Sequence, residues 1–281
     1  MTTKYDLNVV SLGAGVQSMA VLLLAEAGEI KPRPDCAIFA DTGWEPQAVY
    51  DQLAWLKDET AIPIHIVTAG NIKTDILNAL GPPGHKPEGK FAQPPFYVKN
   101  SNGDETDLGG MLWRQCTKEY KIEPITKKIR LLLGYKPRMR VKKRVQEWFG
   151  ISIDEAHRMR DSRVHWIDNY YPLIDLEMRR ADCLSWMKKK GYPEPRKSAC
   201  IGCPYHSNGT WAKMRRDYPD EFEEAVAFDT QLRAGGKIPG VAGDAYLHRS
   251  IVPLAEAVDN THDPDQIEMD FGQECEGMCG V

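Results

Sequence analysis

The chain has 281 residues, 42% of them hydrophobic and 27% charged, with a net charge of −4. That is the composition of a globular protein large enough to bury a sizeable core in one or two domains. The charge argues against a surface coated in cations for indiscriminate nucleic-acid binding. No run reaches the ~20 apolar residues that a bilayer span needs.

The segment MTTKYDLNVV lacks the basic start and long apolar core of a secretory signal. The expected setting is therefore cytoplasmic, with no membrane partner. Residues Leu7 to Ser11 read as a strand, and Gln17 to Ala27 as a helix ended by Gly28. CAIFA (36–40) is a short apolar run suited to a buried strand. The segment 45–59 has helical spacing at Val49, Leu53, Trp55 and Leu56, and 64–67 reads as a third strand after Pro63. Strand and helix alternating in this way predict an α/β fold, a doubly wound and mostly parallel sheet.

Residues 81 to 109 are proline-rich with little periodicity, so a long loop is expected, of the kind that often serves as a lid or binding segment. A helix is expected over 110–133, and a further strand or helix before Gly150. From about Tyr171 onward the chain is rich in Cys, Pro and Trp. The expected division is a nucleotide-binding α/β domain over 1–170 and a Cys-rich region over 171–281, packed on the same domain. Local charge departs from the average between Lys127 and Arg144, where nine of eighteen residues are Lys or Arg. This stretch is either a solvated helix face or an edge that meets anions or nucleic acid.

Two turns fall where strands end. SLGAGVQS (11–18) follows the first strand and opens a helix, and ADTGWE (40–45) follows the second. In a doubly wound sheet such turns face one crevice. Glycines at 13 and 15 permit tight geometry, and exposed N–H groups at a helix start favour phosphate. Asp41 offers a carboxylate suited to a ribose, an adenine amino group or Mg²⁺. The loop lacks the GKS or GKT ending of a Walker A site and the GxGxxG spacing of a dinucleotide fold.

SLGAGVQSMAVL followed by FADTGWE resembles the PP-loop of the adenine nucleotide alpha-hydrolase superfamily, specifically the phosphoadenosine phosphosulfate (PAPS) reductase family. RQCTKEYKIEPI (114–125) is similar to that family's cysteine-plus-basic segment, and GISIDEAHRMRDS (150–162) to its glycine-acidic-arginine segment. YYPLIDL (170–176) resembles the Pro-Leu strand that follows, and GYPEPRKSACIGCPYH (191–206) the cysteine-bearing loop. The matches run in order over most of 8–210. The resemblance implies that Ser11, Gly13, Ala14, Gly15, Gln17 and Ser18 cradle phosphate, and that Asp41, Thr42 and Gly43 line the adenosine. It also implies that Arg114, Lys118, Lys121 and Arg158 meet the anionic parts of the substrate. Gln17 stands where many ATP-hydrolysing members have aspartate, so an acidic group is missing beside the phosphates.

Seven cysteines, an odd number, fall at 36, 116, 183, 200, 203, 275 and 279. With one CxxC and one CxxxC, they suit metal or redox chemistry better than a disulfide framework. Cys200 and Cys203 present two thiolates from one turn, a pattern for zinc, for an iron–sulfur cluster, or for a thiol pair without metal. Relatives of the kind this chain resembles carry a 4Fe–4S cluster, which implies Cys116, Cys183, Cys200 and Cys203 as ligands, or three of these with one iron open. Cys36 reads as a small buried hydrophobe. Glu274–Cys275 partly matches the Glu-Cys-Gly tail in which PAPS reductases hold their nucleophilic cysteine, implying a catalytic role for Cys275.

The leading expectation is a nucleotide-binding PP-loop enzyme with an iron–sulfur cluster. It would adenylate an acceptor with ATP, free or as Mg·ATP, for sulfur transfer in nucleic-acid or nucleoside modification. One alternative is a thiol-dependent reductase of adenylyl sulfate or PAPS. Another is a non-catalytic nucleotide- and metal-binding module of a DNA-modification assembly.

Overall fold

The computed structural model describes residues 5–87, 89–99 and 110–259. Its centre is a five-stranded sheet built from β1 (Leu7–Leu12), β2 (Cys36–Asp41), β3 (Ile64–Thr68), β6 (Val145–Trp148) and β7 (Ile167–Tyr170). The spatial order is β3-β2-β1-β6-β7, and every pairing is parallel. Chain order runs outward in both directions from the boundary between β1 and β6. That boundary is the switch point of the doubly wound sheet that the sequence predicts.

Strand alternation assigns the two faces. Val10, Leu12, Ala37, Phe39 and Trp148 point to one face, where they pack with α1 (Val16–Glu26), α2 (Gln47–Glu59) and α6 (Arg180–Lys189). The α1 run is buried from Val16 to Ala25, as expected of a helix that is apolar all round. Val9, Cys36, Ile38, Val145 and Ile167 point to the other face and pack against α4 (Glu123–Leu132) through Ile125 and Ile129. Cys36 is a buried member of this face, and burial pushes its thiol up to about 11.

The middle of the chain differs from the helix expected over 110–133. Residues Gly110–Met111 form β5, which pairs antiparallel with β4 (Tyr97–Lys99), and β4 pairs with β8 (Asp244–Tyr246). Helix begins only at Cys116, and Lys118–Ile122 forms a π-helical turn that continues into α4. Pro124 sits in the first turn of α4, directly after the π turn, and its ring leaves no N–H to bond back into that turn.

The Pro-Leu segment is also not a strand. β7 ends at Tyr170, and Pro172–Asp175 makes the short helix α5, with Pro172 at its start. A second core joins Trp44, α3 (Ile72–Asn78) and Phe96 to Ile201, α7 (Asn208–Asp217), α8 (Pro219–Ala234) and α9 (Leu254–Asp259). Among the described residues no helix is long and apolar enough to cross a membrane.

Candidate functional site

The turn after β1 closes largely on itself. The Gly13 N–H donates to Ser18 Oγ (3.2 Å), and the Ser18 hydroxyl donates to the Gly15 carbonyl (3.3 Å). Ala14 takes a left-handed φ of 56°, and its carbonyl accepts from Gln52 Nε2 (2.8 Å). Gly15 caps α1 without a side-chain bond, and the first turn of α1 carries no acidic residue.

Gln17 is fully buried and turns inward. Its Nε2 donates to Glu155 Oε2 (3.1 Å), and Arg158 pairs with the other Glu155 oxygen (2.6 Å). Gly150, two residues past the end of β6, lies so close to the backbone of Gln17 and Ser18 that a Cβ there would overlap it. The GISIDEAHR segment, with its 3₁₀ turn Ile153–Arg158, is thus fastened to the first turn of α1.

A groove of about 1020 Å³ opens on the α4 face of the sheet at the switch point. Its floor carries Ser11, Glu147, Phe149, Ile167 and Asn169 from β1, β6, β7 and their ends. One wall runs through residues 113–119 into α4 as far as Lys127, and the other is 160–164. Cations on it are Arg114, Lys118, Lys127, Arg160 and Arg163. Lys118 and Lys127 also reach Glu119 and Glu123 at 3.5–3.8 Å. The exposed ring of Trp113 stands at the rim. Glu147 is buried, and burial pushes its carboxyl up to about 7 while a hydrogen bond with Ser11 partly opposes the rise.

A second cavity adjoins the groove, since Arg114 and Thr117 line both. Cys116, Cys200 and Cys203 line it together with Thr42, Trp44 and Lys121. The buried Thr117 Oγ1 has no hydrogen-bond partner among the described residues. Two sequence-distant turns build this cavity: the Ile201 N–H donates to the Trp44 carbonyl (3.0 Å), and the Trp44 ring covers Gly202 so closely that a Cβ would overlap it. The middle of the CIGC turn must therefore be glycine once DTGW lies against it.

Thr42 donates to Glu45 Oε1 (2.9 Å) and lies 3.2 Å from Cys200 Sγ, while Lys121 Nζ is 3.8 Å from the same Glu45 oxygen. Burial and the Glu45 carboxylate push the Cys200 thiol well above its usual range. His206 Nε2 faces the Cys200 carbonyl (3.0 Å), and burial pushes its imidazole down to about 4.

The predicted residues therefore separate. Ser11, Arg114 and Lys118 line the groove, whereas Thr42, Lys121, Cys116, Cys200 and Cys203 line the adjoining cavity. Gly13, Ala14, Gly15, Gln17 and Ser18 form the turn behind Ser11. Asp41 is engaged by the Gly43 N–H (2.7 Å) and the Tyr50 hydroxyl (3.0 Å). Arg158 is turned toward Glu155. Cys183 is not brought to the other cysteines: it is buried in the core around α1, because helical spacing from Arg180 turns it inward with Met187. Cys275 lies outside the described residues.

Of the cations between Lys127 and Arg144, Lys127 alone lines the groove. Glu147, Thr117, Glu45, Arg160, Arg163 and Trp113 are site residues that the sequence reading missed. The alternation in VQEW carried a signal for Glu147, since an acid at that parity must face α4.

Three thiols on one cavity are soft donors that fit an iron–sulfur centre in kind. Among the described residues no group of three or more His, Cys, Asp or Glu side chains is arranged to hold a metal ion, and none of the five described cysteines is in a disulfide.

Fold and site together define a class, a doubly wound α/β protein with a groove at the switch point and a cysteine-lined cavity beside it. No protein-family model matches the chain, and no curated protein matches it. Among solved structures it is similar to phosphoadenylyl-sulfate (PAPS) reductase from Candida auris in its phosphate complex. That likeness has 16% identity, covers 68% of this chain and 76% of the other, and has a TM-score of 0.38. It is also similar to U34-tRNA thiolase NcsA from Methanococcus maripaludis with its 4Fe–4S cluster, at 14% identity over 94% and 84% of the chains, with a TM-score of 0.40.

Proposed function

We propose that this chain is a PP-loop enzyme that binds an adenine nucleotide in the groove and uses ATP to adenylate an acceptor for sulfur transfer. The observation that supports it most is the junction of two cavities at Arg114 and Thr117, one lined by cations at the switch point and the other by three cysteines. Arg114, Arg160 and Arg163 would hold phosphate oxygens, since guanidinium groups pair with them bidentately. The uncapped start of α1, free of acidic residues, adds a favourable field for an anion near Ser11. Glu147 would hold a proton at the groove floor near neutral pH. As phosphate oxygens approach, it would stay neutral rather than repel them.

Cys116, Cys200 and Cys203 are the residues that would hold an iron–sulfur cluster in this reading, which leaves out Cys183 because it lies in the core around α1. A cluster held by three cysteines supplies an iron open to exogenous sulfur. The residues' own part is to bring soft donors to the edge of the nucleotide groove.

The test is turnover by anaerobically purified protein given ATP with a nucleic-acid acceptor and sulfide, or PAPS with a dithiol reductant. The reading expects AMP and pyrophosphate from ATP, and at least tenfold weaker ATP binding in Arg163→Ala. Sulfite released from PAPS without ATP turnover would replace it with the reductase reading. Nucleotide binding with neither turnover would leave a non-catalytic module.

A further inference from the structure

Between Glu123 and Glu147 the chain holds nine lysines and arginines and no acidic residue, in a protein whose net charge is −4. The fold sorts these cations. Lys127 stands on the groove wall, Arg144 pairs with Asp168, and Arg130 donates to the carbonyls of Lys136 and Met139, which fixes the turn that follows α4. Lys136, Arg138, Arg140 and Lys142 are exposed and make no ion pair among the described residues. Like charges crowded into one turn repel one another, and a polyanion relieves that repulsion.

This turn feeds β6, so it lies at the amino end of a parallel sheet, whereas Ser11 and Phe149 of the groove lie at the carboxyl end. α4 joins the two. Its first turns form the groove wall at Glu123 and Lys127, and its last turn exposes Leu131 beside the cations. Ten residues of helix make that path about 15 Å long.

We propose that the 133–144 turn docks the phosphate backbone of a nucleic acid, which follows α4 and presents one nucleoside to the groove. Exposed Leu131 and Met139 give unstacked bases an apolar surface beside the cations. Nucleic acid is chosen over other polyanions on the nucleotide reading of the groove, because an extended strand enters such a groove and a flat anionic membrane does not. The cationic turn itself does not depend on that reading.

The experiment is a titration of labelled mixed-sequence duplex DNA and single-stranded RNA with the full chain at several salt concentrations. A quadruple variant carries Lys136→Ala, Arg138→Gly, Arg140→Ala and Lys142→Ala; glycine suits the φ of 68° at position 138. At about 0.9 per phosphate contact, its slope of log affinity against log salt on duplex DNA should be shallower by about three to four. Its affinity near 0.1 M salt should fall by more than tenfold. The charge-conserving pair Arg138→Lys and Arg140→Lys should keep the slope.

ATP affinity should be the same in all three proteins. Loss of ATP binding throughout would count against the groove reading and not against the turn. Unchanged affinity and slope in the quadruple variant would overturn the proposal. So would binding of phosphatidylserine vesicles by a wild-type chain that binds neither nucleic acid.

Discussion

Replacing Glu147 with glutamine keeps the side chain's shape and its ability to accept from the Ser11 hydroxyl, while removing the proton that the carboxyl takes up. Burial raises that carboxyl from 4.5 to about 7 in the folded protein. The folded state therefore holds a proton that the unfolded chain releases near 4.5. The resulting stabilisation is complete below that pH and is lost as pH rises toward 7. At about 1.4 kcal/mol per tenfold in proton affinity, the loss amounts to roughly 3 kcal/mol. Glutamine has no such loss, so the stability of Glu147→Gln relative to wild type should grow by roughly that amount between pH 4.5 and 8.

Urea unfolding at a series of pH values measures it. With a slope near 3 kcal/mol per molar for a chain of this length, the gap between the two midpoints should widen by about 1 M. His206 acts in the opposite sense. Burial holds its imidazole neutral down to about 4, so its contribution is present above about 6.5 and is lost as pH falls. It is common to both proteins and cancels in the difference. Parallel pH profiles for wild type and variant would show that no proton is held at position 147, and the reasoning would fail.

Three further variants probe the cavity and the core beside α1. Gly202→Ala places a methyl group against the Trp44 ring and should cost roughly 1–3 kcal/mol, read as a lower melting temperature, as overpacking does elsewhere. Cys183→Ser should keep whatever iron the anaerobic protein carries and lose stability, because its thiol sits in the α1 core. Cys200→Ser should lose the iron, and metal analysis of the two variants side by side decides between three and four ligands.

The strands were legible because a parallel sheet buried on both faces leaves short apolar runs such as CAIFA, and the turn residues between them mark its ends. The stretch from 110 to 133 was not. The short β5 depends on pairing with β4, which the distant strand β8 holds in turn, and Tyr120 of the π turn is buried in the second core; no local period records either. The cysteines divide in the same way. The CIGC turn announces two thiols, but only packing on DTGW brings Cys200 and Cys203 to Cys116. Cys183, equally plausible by spacing, is withdrawn by the face of α6 it occupies.

Position 17 shows how a local departure from a motif is absorbed by the fold. An aspartate at the first turn of α1 would put a charge beside bound phosphates. The glutamine is uncharged, and its amide turns away from the groove to Glu155, whose charge Arg158 already balances. Glu155, Arg158 and Gly150 all belong to the GISIDEAHR segment, so Gln17 ties that segment to the turn whose first residue, Ser11, forms the groove floor. Acidic chemistry at the floor then falls to Glu147, one strand away. There a buried carboxyl can be neutral or charged near pH 7. On the proposed nucleotide reading, the glutamine at 17 and the carboxyl at 147 are two parts of one arrangement, in which the charge of the groove floor would depend on pH and on the bound anion.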